Sequence, residues 1–485
     1  MKRRDLPVIP LSAAPIRAEV DPTTPAVQHQ VDPVGPENGP RIALVTLGCD
    51  KNTVDSEHMM AALVGQGARV TGEVSAAEVV IVNTCGFIEA AKEQSIETIL
   101  EACELKESGD VKAVAAVGCM VQRYKDDLAR EIPEVDLFLG LAELADLIPS
   151  LRARGLLPDA EDLVPTMERP LRVLATETPH TSFLKISEGC DHSCAFCAIP
   201  LMRGLHRSSP VPDLVQEARA LGSQGVKELN IISQDTTWYG RDQRRHDPEA
   251  DLLPELLKAL LGETEIPWFR LFYMYPSGIT RELVELLASE PRLLSYLDMP
   301  LQHGSDRILE AMRRPERRAT ILERVSWLRE AIPDLTLRTT VIVGFPGERE
   351  EDFRELLDLL EEVRFDRVGA FSYSLEEGTA AAAMQDQIPE EEKAERLEAL
   401  LDLQREISFE LNLDQVGRRT IALVDRVVDD DPEFGFQARI ETQALDVDGV
   451  TNLLPAEQVF PGDFVEIEVL DALDYDLIGA VRRKA

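Results

Sequence analysis

Ser182-Phe183-Leu184-Lys185-Ile186-Ser187-Glu188-Gly189-Cys190-Asp191-His192-Ser193-Cys194-Ala195-Phe196-Cys197 reads as a short strand that runs directly into three cysteines. The spacing C-x₃-C-x₂-C gives one loop three soft thiolates, with no fourth cysteine nearby. Such thiolates select iron–sulfur clusters, zinc or copper(I). A four-iron cluster held by three cysteines leaves one iron free to bind a small molecule. A zinc site would need a fourth ligand, which His192 or His206 could supply. A nucleophilic cysteine needs one thiol, and the triplet would be wasted on it.

Outward from this stretch, short apolar runs alternate with helical periodicity as far as about Glu410. The strands are expected at 182–187, 228–233, 268–273, 297–300, 337–343 and 367–372. Helical patterns such as 210–223, 278–289 and 350–363 follow each strand but the last. Six β/α units predict a partial or complete barrel, whose site lies at the C-terminal strand ends. Cys190 falls on the loop after the first of these strands.

Upstream the same alternation begins at Arg41, with runs at 42–47, 79–82 and 114–117. Continuous apolar runs between helical segments indicate a doubly wound parallel sheet. Cys49, Cys85 and Cys119 each follow one of these strands, at intervals of 36 and 34 residues. In such a sheet the C-terminal strand ends share a crevice, so the three thiols are expected to converge as a second three-ligand site. The bland alternative is three small buried cysteines. Cys103, in a helical run, reads as core.

Residues 1–39 lack a sustained period and read as a disordered leader. The α/β domain is expected over 40–155, a proline-bearing linker over 156–179 and the barrel over 180–411. After Gly417 short alternating segments with turn signals predict a small antiparallel β-barrel over 412–485. From Leu413 to Ala485 there are 16 acidic and 7 basic side chains, a net of −9.

The whole chain of 485 residues carries 51 Lys+Arg against 88 Asp+Glu, a formal net charge of −37. A field of that sign disfavours phosphate backbones and favours basic partners. The bland alternative is a solubility or proteome bias. Seven cysteines at this length make no disulfide framework. No run reaches the roughly 18 apolar residues of a membrane span, and the basic N-terminus lacks a following apolar region. A reducing cytoplasm fits.

The triplet Cys190/Cys194/Cys197 in a β/α barrel resembles the radical S-adenosylmethionine (SAM) superfamily. The order of α/β domain, barrel and small β-barrel resembles the methylthiotransferases, with the last module similar to their TRAM domain. Within that family the chain looks most like the RimO type, which acts on ribosomal protein S-twelve. The segments that carry this are Ser233-Gln234-Asp235-Thr236-Thr237, Arg270-Leu271-Phe272-Tyr273-Met274-Tyr275-Pro276, Asp298-Met299-Pro300-Leu301-Gln302-His303, Val343-Gly344-Phe345-Pro346-Gly347-Glu348 and Glu376-Glu377-Gly378-Thr379. Where the family places arginine before Pro210 this chain has Ser209, and Arg207 stands two residues earlier.

The resemblance implies an enzyme with two [4Fe-4S] clusters that uses two SAM. The barrel cluster, on the catalytic residues Cys190, Cys194 and Cys197, would bind SAM and release a 5′-deoxyadenosyl radical. That radical would abstract hydrogen from the β-carbon of one S-twelve aspartate. The second cluster, on Cys49, Cys85 and Cys119, would carry the sulfur that is methylated and inserted. Low cluster potentials imply a flavodoxin- or ferredoxin-like reductant. The partner would be S-twelve or the assembling small ribosomal subunit, with nucleic acid met at most through the ribosome.

Gln234 and Asp235 read as SAM or substrate contacts, against simple loop capping by the aspartate. His303 reads as a hydrogen-bond donor or a packed histidine, and Gly344 and Gly347 as a tight turn. Arg313-Arg314-Pro315-Glu316-Arg317-Arg318 reads as a solvated helix end, with ribosomal RNA as its functional alternative. Two rival functions share the cysteines: a tRNA adenosine methylthiotransferase, and a non-catalytic zinc-bound ribosome- or RNA-binding scaffold.

Overall fold

The computed structural model describes residues 33–485 except 110, 160–169 and 430. The expected leader therefore lies, up to residue 32, outside the described residues. From there Val34 already pairs with Val70 in an antiparallel bridge. The chain divides into two compact units that meet in sequence between residues 407 and 408.

The first unit opens with β1 (Arg41–Thr46), α1 (Asp50–Val64), β2 (Arg69–Thr71), β3 (Val79–Thr84), α2 (Glu89–Glu107), β4 (Ala113–Gly118), α3 (Cys119–Glu131), β5 (Leu137–Gly140) and α4 (Leu147–Ala153). All six positions of β3 and all six of β4 are buried. Strands covered on both faces read as unbroken apolar runs and pair in parallel. The order is β2-β1-β3-β4-β5, wholly parallel. Ile42, Leu44, Val79 and Ile81 pack with Met60 and Leu63 of α1, whereas Ala43, Val45, Val80 and Val82 pack with Ile99 of α2 and Val121 of α3. Alternate residues thus face opposite helical layers, as the period of a strand requires. Strand order reverses between β1 and β3, and the crevice at such a switch point is where doubly wound sheets bind ligands.

The barrel follows with β6 (Thr181–Lys185), β7 (Ser187–Glu188), α5 (Ile199–Arg203), β8 (Arg207–Ser208), α6 (Val211–Ser223), β9 (Glu228–Ile232), α7 (Arg241–Arg244), α8 (Leu253–Glu263), β10 (Trp268–Leu271), α9 (Arg281–Ser289), β11 (Leu293–Asp298), α10 (Asp306–Ala311), α11 (Arg318–Ala331), β12 (Thr336–Val343), α12 (Glu350–Val363), β13 (Arg367–Ser372) and α13 (Glu390–Leu413). Six parallel strands in the order β13-β12-β11-β10-β9-β6 form an open sheet, a partial barrel. On α12, Phe353, Leu356, Leu359, Leu360 and Val363 are buried at helical spacing and pack into the same core as Leu337 and Val341 of β12. Three differences from the expected elements stand out. The fourth strand begins at Leu293, four residues earlier than its apolar run. A 24-residue helix, α13, follows the last strand. The two-residue strands β7 and β8 pair in antiparallel, bracketing the cysteine loop.

The second unit holds β14 (Arg419–Val427), β15 (Phe436–Ile440), β16 (Thr451–Leu453), β17 (Phe464–Ala472) and β18 (Leu477–Lys484), closed in the order β14-β15-β16-β18-β17. One pair, β16 with β18, is parallel, so the barrel is not wholly antiparallel. The basic end Arg482-Arg483-Lys484 lies on β18. Its side chains pair with Glu468, Glu466 and Asp463. Among the described residues no helix is long and apolar enough to cross a membrane.

Candidate active site

Cys49 caps the N-terminus of α1 and Cys119 opens α3, while Cys85 lies four residues before α2 begins. Helix N-termini favour negative charge and so favour thiolates. The three thiols lie within electrostatic reach of one another: burial first, then Cys49 and Cys119, push the Cys85 thiol up to about 12. Burial likewise pushes Cys119 up to about 11, against the pull of Arg203. Gly48 makes this closeness possible. It sits at φ +90°, and a Cβ there would meet Cβ and Sγ of Cys85 at 2.8 Å.

The second group is carried by the loop between β7 and α5. Its backbone is pinned by Cys190 N–H to Gly204 O at 3.0 Å and Ala195 N–H to Met312 O at 2.9 Å. Burial raises Cys190 and Cys197 to about 12 each, and Cys194 adds to both. Arg314 reaches into this group, with its guanidinium 3.9 Å from Cys194 Sγ. The expectation of a solvated helix end is corrected at Arg314 and Glu316, which are buried, whereas Arg313 is exposed. Arg314 stacks over the Tyr275 ring at 3.9 Å, and His192 stacks on Tyr275 at 4.7 Å. His192 Nε2 in turn lies 2.7 Å from Asp235 Oδ2.

Asp235 also accepts from the backbone N–H of Thr237 at 3.0 Å, capping the turn at 236–238. Both the loop-capping and the site readings thus have a physical basis in one carboxylate. Beside it, the amide of Gln234 is buried with neither its oxygen nor its nitrogen bonded. Such a group is rare in a folded protein and marks a place for an absent polar partner. His206 Nε2 lies 3.1 Å from Ser208 Oγ, and Arg207 is exposed. His303 is wholly buried, and its Nδ1 accepts from Ser305 N–H at 2.9 Å, as a packed histidine would. Gly344 and Gly347 both adopt positive φ, as a tight turn requires. Cys103 lies in the core of the α/β domain with Ile99 and Val111.

The two thiol groups adjoin. Cys119 packs against Ala198, the residue after Cys197, and against Met202 of α5. Arg203, at the end of the same helix, has a side chain 1% exposed. It donates to Asn52 Oδ1 at 2.6 Å, Asp55 Oδ2 at 3.0 Å and Glu188 Oε1 at 2.8 Å. The Cys119 thiol points at the same Asn52 oxygen, at 3.6 Å. Burial works against the charge of Arg203, yet Cys119, Asp55, Glu188 and Cys49 together hold its pKa well above the ordinary arginine value. Sequence reasoning missed Arg203, and its one signal was a cation in an otherwise apolar turn after Cys197.

Among the described residues no three Cys, His, Asp or Glu side chains close on a point that suits a single metal ion. A cluster does not need that, since each of its irons takes its own thiolate. Three soft donors per group, a guanidinium beside each and a dry setting fit a thiolate-ligated iron–sulfur cluster in both places.

The chain is similar to known proteins along most of its length. Residues 41–140 match the uncharacterized protein family UPF0004, residues 184–360 the radical SAM superfamily and residues 416–481 the TRAM domain. It is 44% identical over 444 residues to ribosomal protein uS12 methylthiotransferase RimO of Anaeromyxobacter sp. (strain Fw109-5), spanning 91% of this chain and 93% of that one. It is 45% identical over 440 residues to the protein of the same name from Desulforudis audaxviator (strain MP104C), spanning 90% and 96%. Among solved structures, the cobalamin-dependent SAM radical enzyme OxsB superposes with a TM-score of 0.50 at 14% identity. That match covers 76% of this chain and 56% of that one, and shows the fold alone.

Proposed function

The chain belongs to the RimO family of radical SAM methylthiotransferases, and from that premise we propose that it inserts a methylthio group at the β-carbon of an aspartate in ribosomal protein uS12. The observation that carries this reading is the adjacency of two three-thiol groups, with Cys119 packed against Ala198 and Arg203, on the helix after the barrel triplet, bonded to Asn52 of α1. Cys190, Cys194 and Cys197 would hold one [4Fe-4S] cluster with SAM, and Cys49, Cys85 and Cys119 a second. Bound there, these groups supply reductive SAM cleavage and sulfur for transfer, with electrons from a flavodoxin- or ferredoxin-like protein.

The chain's own residues bind, orient and exclude water. Gln234 offers an unpaired amide to SAM at the end of β9. Asp235 orients His192, and His192, Tyr275 and Arg314 stack into a wall beside the barrel thiols. Arg314 and Arg203 place positive charge where deprotonated thiols would otherwise repel one another. The acidic surface suits a basic ribosomal protein in the cytoplasm. Mass spectrometry of ribosomes and tRNA from a deletion strain tests the reading. Loss of methylthio-aspartate from uS12 is expected; loss of methylthio-adenosine from tRNA instead would overturn it.

A further inference from the structure

Lys51 lies two residues after Cys49, in the first turn of α1, with a side chain 8% exposed. Its ammonium sits 3.1 Å from the centroid of the Tyr273 ring and 3.4 Å from Asp50 Oδ1. An ammonium has three N–H donors, and charge-assisted bonds to carboxylates run to about 2.7–2.9 Å. One long carboxylate contact and one aromatic face leave most of that capacity unused.

Three other buried cations of these two domains are treated differently. Lys185 is held by Asp55 and by Glu188 at 2.6 Å. Arg203 has three side-chain acceptors within 3.0 Å. Arg338 donates to Asp298 at 2.7 Å. Taking an ammonium out of water without matched acceptors is costly, so the incomplete shell of Lys51 stands out against these neighbours.

The place also matters. Tyr273 follows β10 at the C-terminal mouth of the barrel, where barrel chemistry sits. It adopts φ +58°, a strained value for a bulky side chain. Its backbone N–H donates to Asp298 Oδ2 at 3.0 Å and its hydroxyl reaches both Asp50 oxygens at 3.3 Å. Asp298 and Asp50 thus fix Tyr273 at two points, and the Lys51 ammonium lies over its ring, two residues from Cys49.

We propose that Lys51 is the specificity-determining residue that receives the carboxylate of the substrate aspartate. The assignment rests on the reading that a protein aspartate is the substrate. An aspartate brought beside Cys49 carries negative charge toward thiolates, and a cation two residues from that cysteine offsets the repulsion. Adenosine has no carboxylate to satisfy such a site.

The test uses the full chain, reconstituted anaerobically, and a peptide of uS12 with aspartate or asparagine at the modified position. Wild type is expected to bind the aspartate peptide at least about tenfold more tightly, the size of one charge-assisted hydrogen bond. Lys51→Met is expected to bind both alike, at wild-type iron content, and Lys51→Arg to recover part of the preference. A Met variant that keeps the preference overturns the proposal. So does a wild type that shows none, a result that stands even if the variants fail to fold. Loss of Lys51 dependence with uS12 still modified would sink this assignment alone. A wild type that binds neither peptide and methylthiolates tRNA would sink the parent reading with it.

Discussion

The guanidinium of Arg203 donates to the side-chain oxygen of Asn52 at 2.6 Å, the same oxygen that faces the Cys119 thiol at 3.6 Å. With the bond to Asp55 at 3.0 Å, this ties the helix after the barrel triplet to the helix that Cys49 caps. Arg203→Met would leave Asp55 and Glu188 sharing Lys185 alone. Removing one partner of a buried network costs about 3–5 kcal/mol, so a large drop in thermal midpoint is expected. Arg203→Lys should fall between, because an ammonium lacks the planar fork that reaches three acceptors. A double-mutant cycle with Asn52→Ala measures the coupling of that pair, and strict additivity would refute a contribution from the Arg203–Asn52 bond.

The two thiol groups should load iron independently. Replacing Cys49, Cys85 and Cys119 by Ala is expected to halve the iron of the anaerobically reconstituted chain, from about eight to about four atoms. That variant should still cleave SAM and fail to methylthiolate. Replacing Cys190, Cys194 and Cys197 should also halve the iron but abolish SAM cleavage. Unchanged iron in either variant would show that the corresponding group holds no cluster.

Gly48→Ala separates backbone strain from steric blockade. The new methyl would meet Cys85 at 2.8 Å, at a backbone angle that disfavours side chains. Gly109 has nearly the same φ, +87°, but an added Cβ there meets nothing within 4 Å. Both variants should lose about 1 kcal/mol of stability from the backbone. Iron loading at the α/β domain should fall for Gly48→Ala alone, and equal iron in the two variants would rule out a role for the close approach.

Much of this architecture is legible in the sequence because both sheets are parallel. Strands buried on both faces, such as Val79–Thr84 and Ala113–Gly118, have no polar alternation to obscure them. The edge strands β2 and β5 are three and four residues long and leave too short a pattern to detect. Helix α13 hides for another reason. Its buried positions include Lys393, Arg396, Gln404, Ser408 and Asn412, so the inward stripe is largely polar. Arg314 and Arg203 were illegible on the same principle: a charge in sequence reads as solvent-facing until the structure brings thiols and carboxylates around it.

Acid should weaken the barrel through Asp352. Burial pushes its carboxyl up, but hydrogen bonds from Arg307, the Arg349 backbone and Ser305 outweigh that and hold it at about 2. Ser305 Oγ donates at 2.8 Å and Arg349 N–H at 2.9 Å, closing the first turn of α12 onto the start of α10. A carboxyl depressed in the folded state below its unfolded value of about 3.9 stabilises the fold above that pH. The contribution is lost as pH falls from about 4 toward 2. Asp352→Asn should therefore be less stable than wild type at pH 7, by about 1–2 kcal/mol, and the gap should close through that window. Denaturant midpoints of the two cluster-free chains, compared at matched pH, report the difference directly. A gap that stays constant down to pH 2 would mean that the ionised carboxylate is not what holds α12 in place.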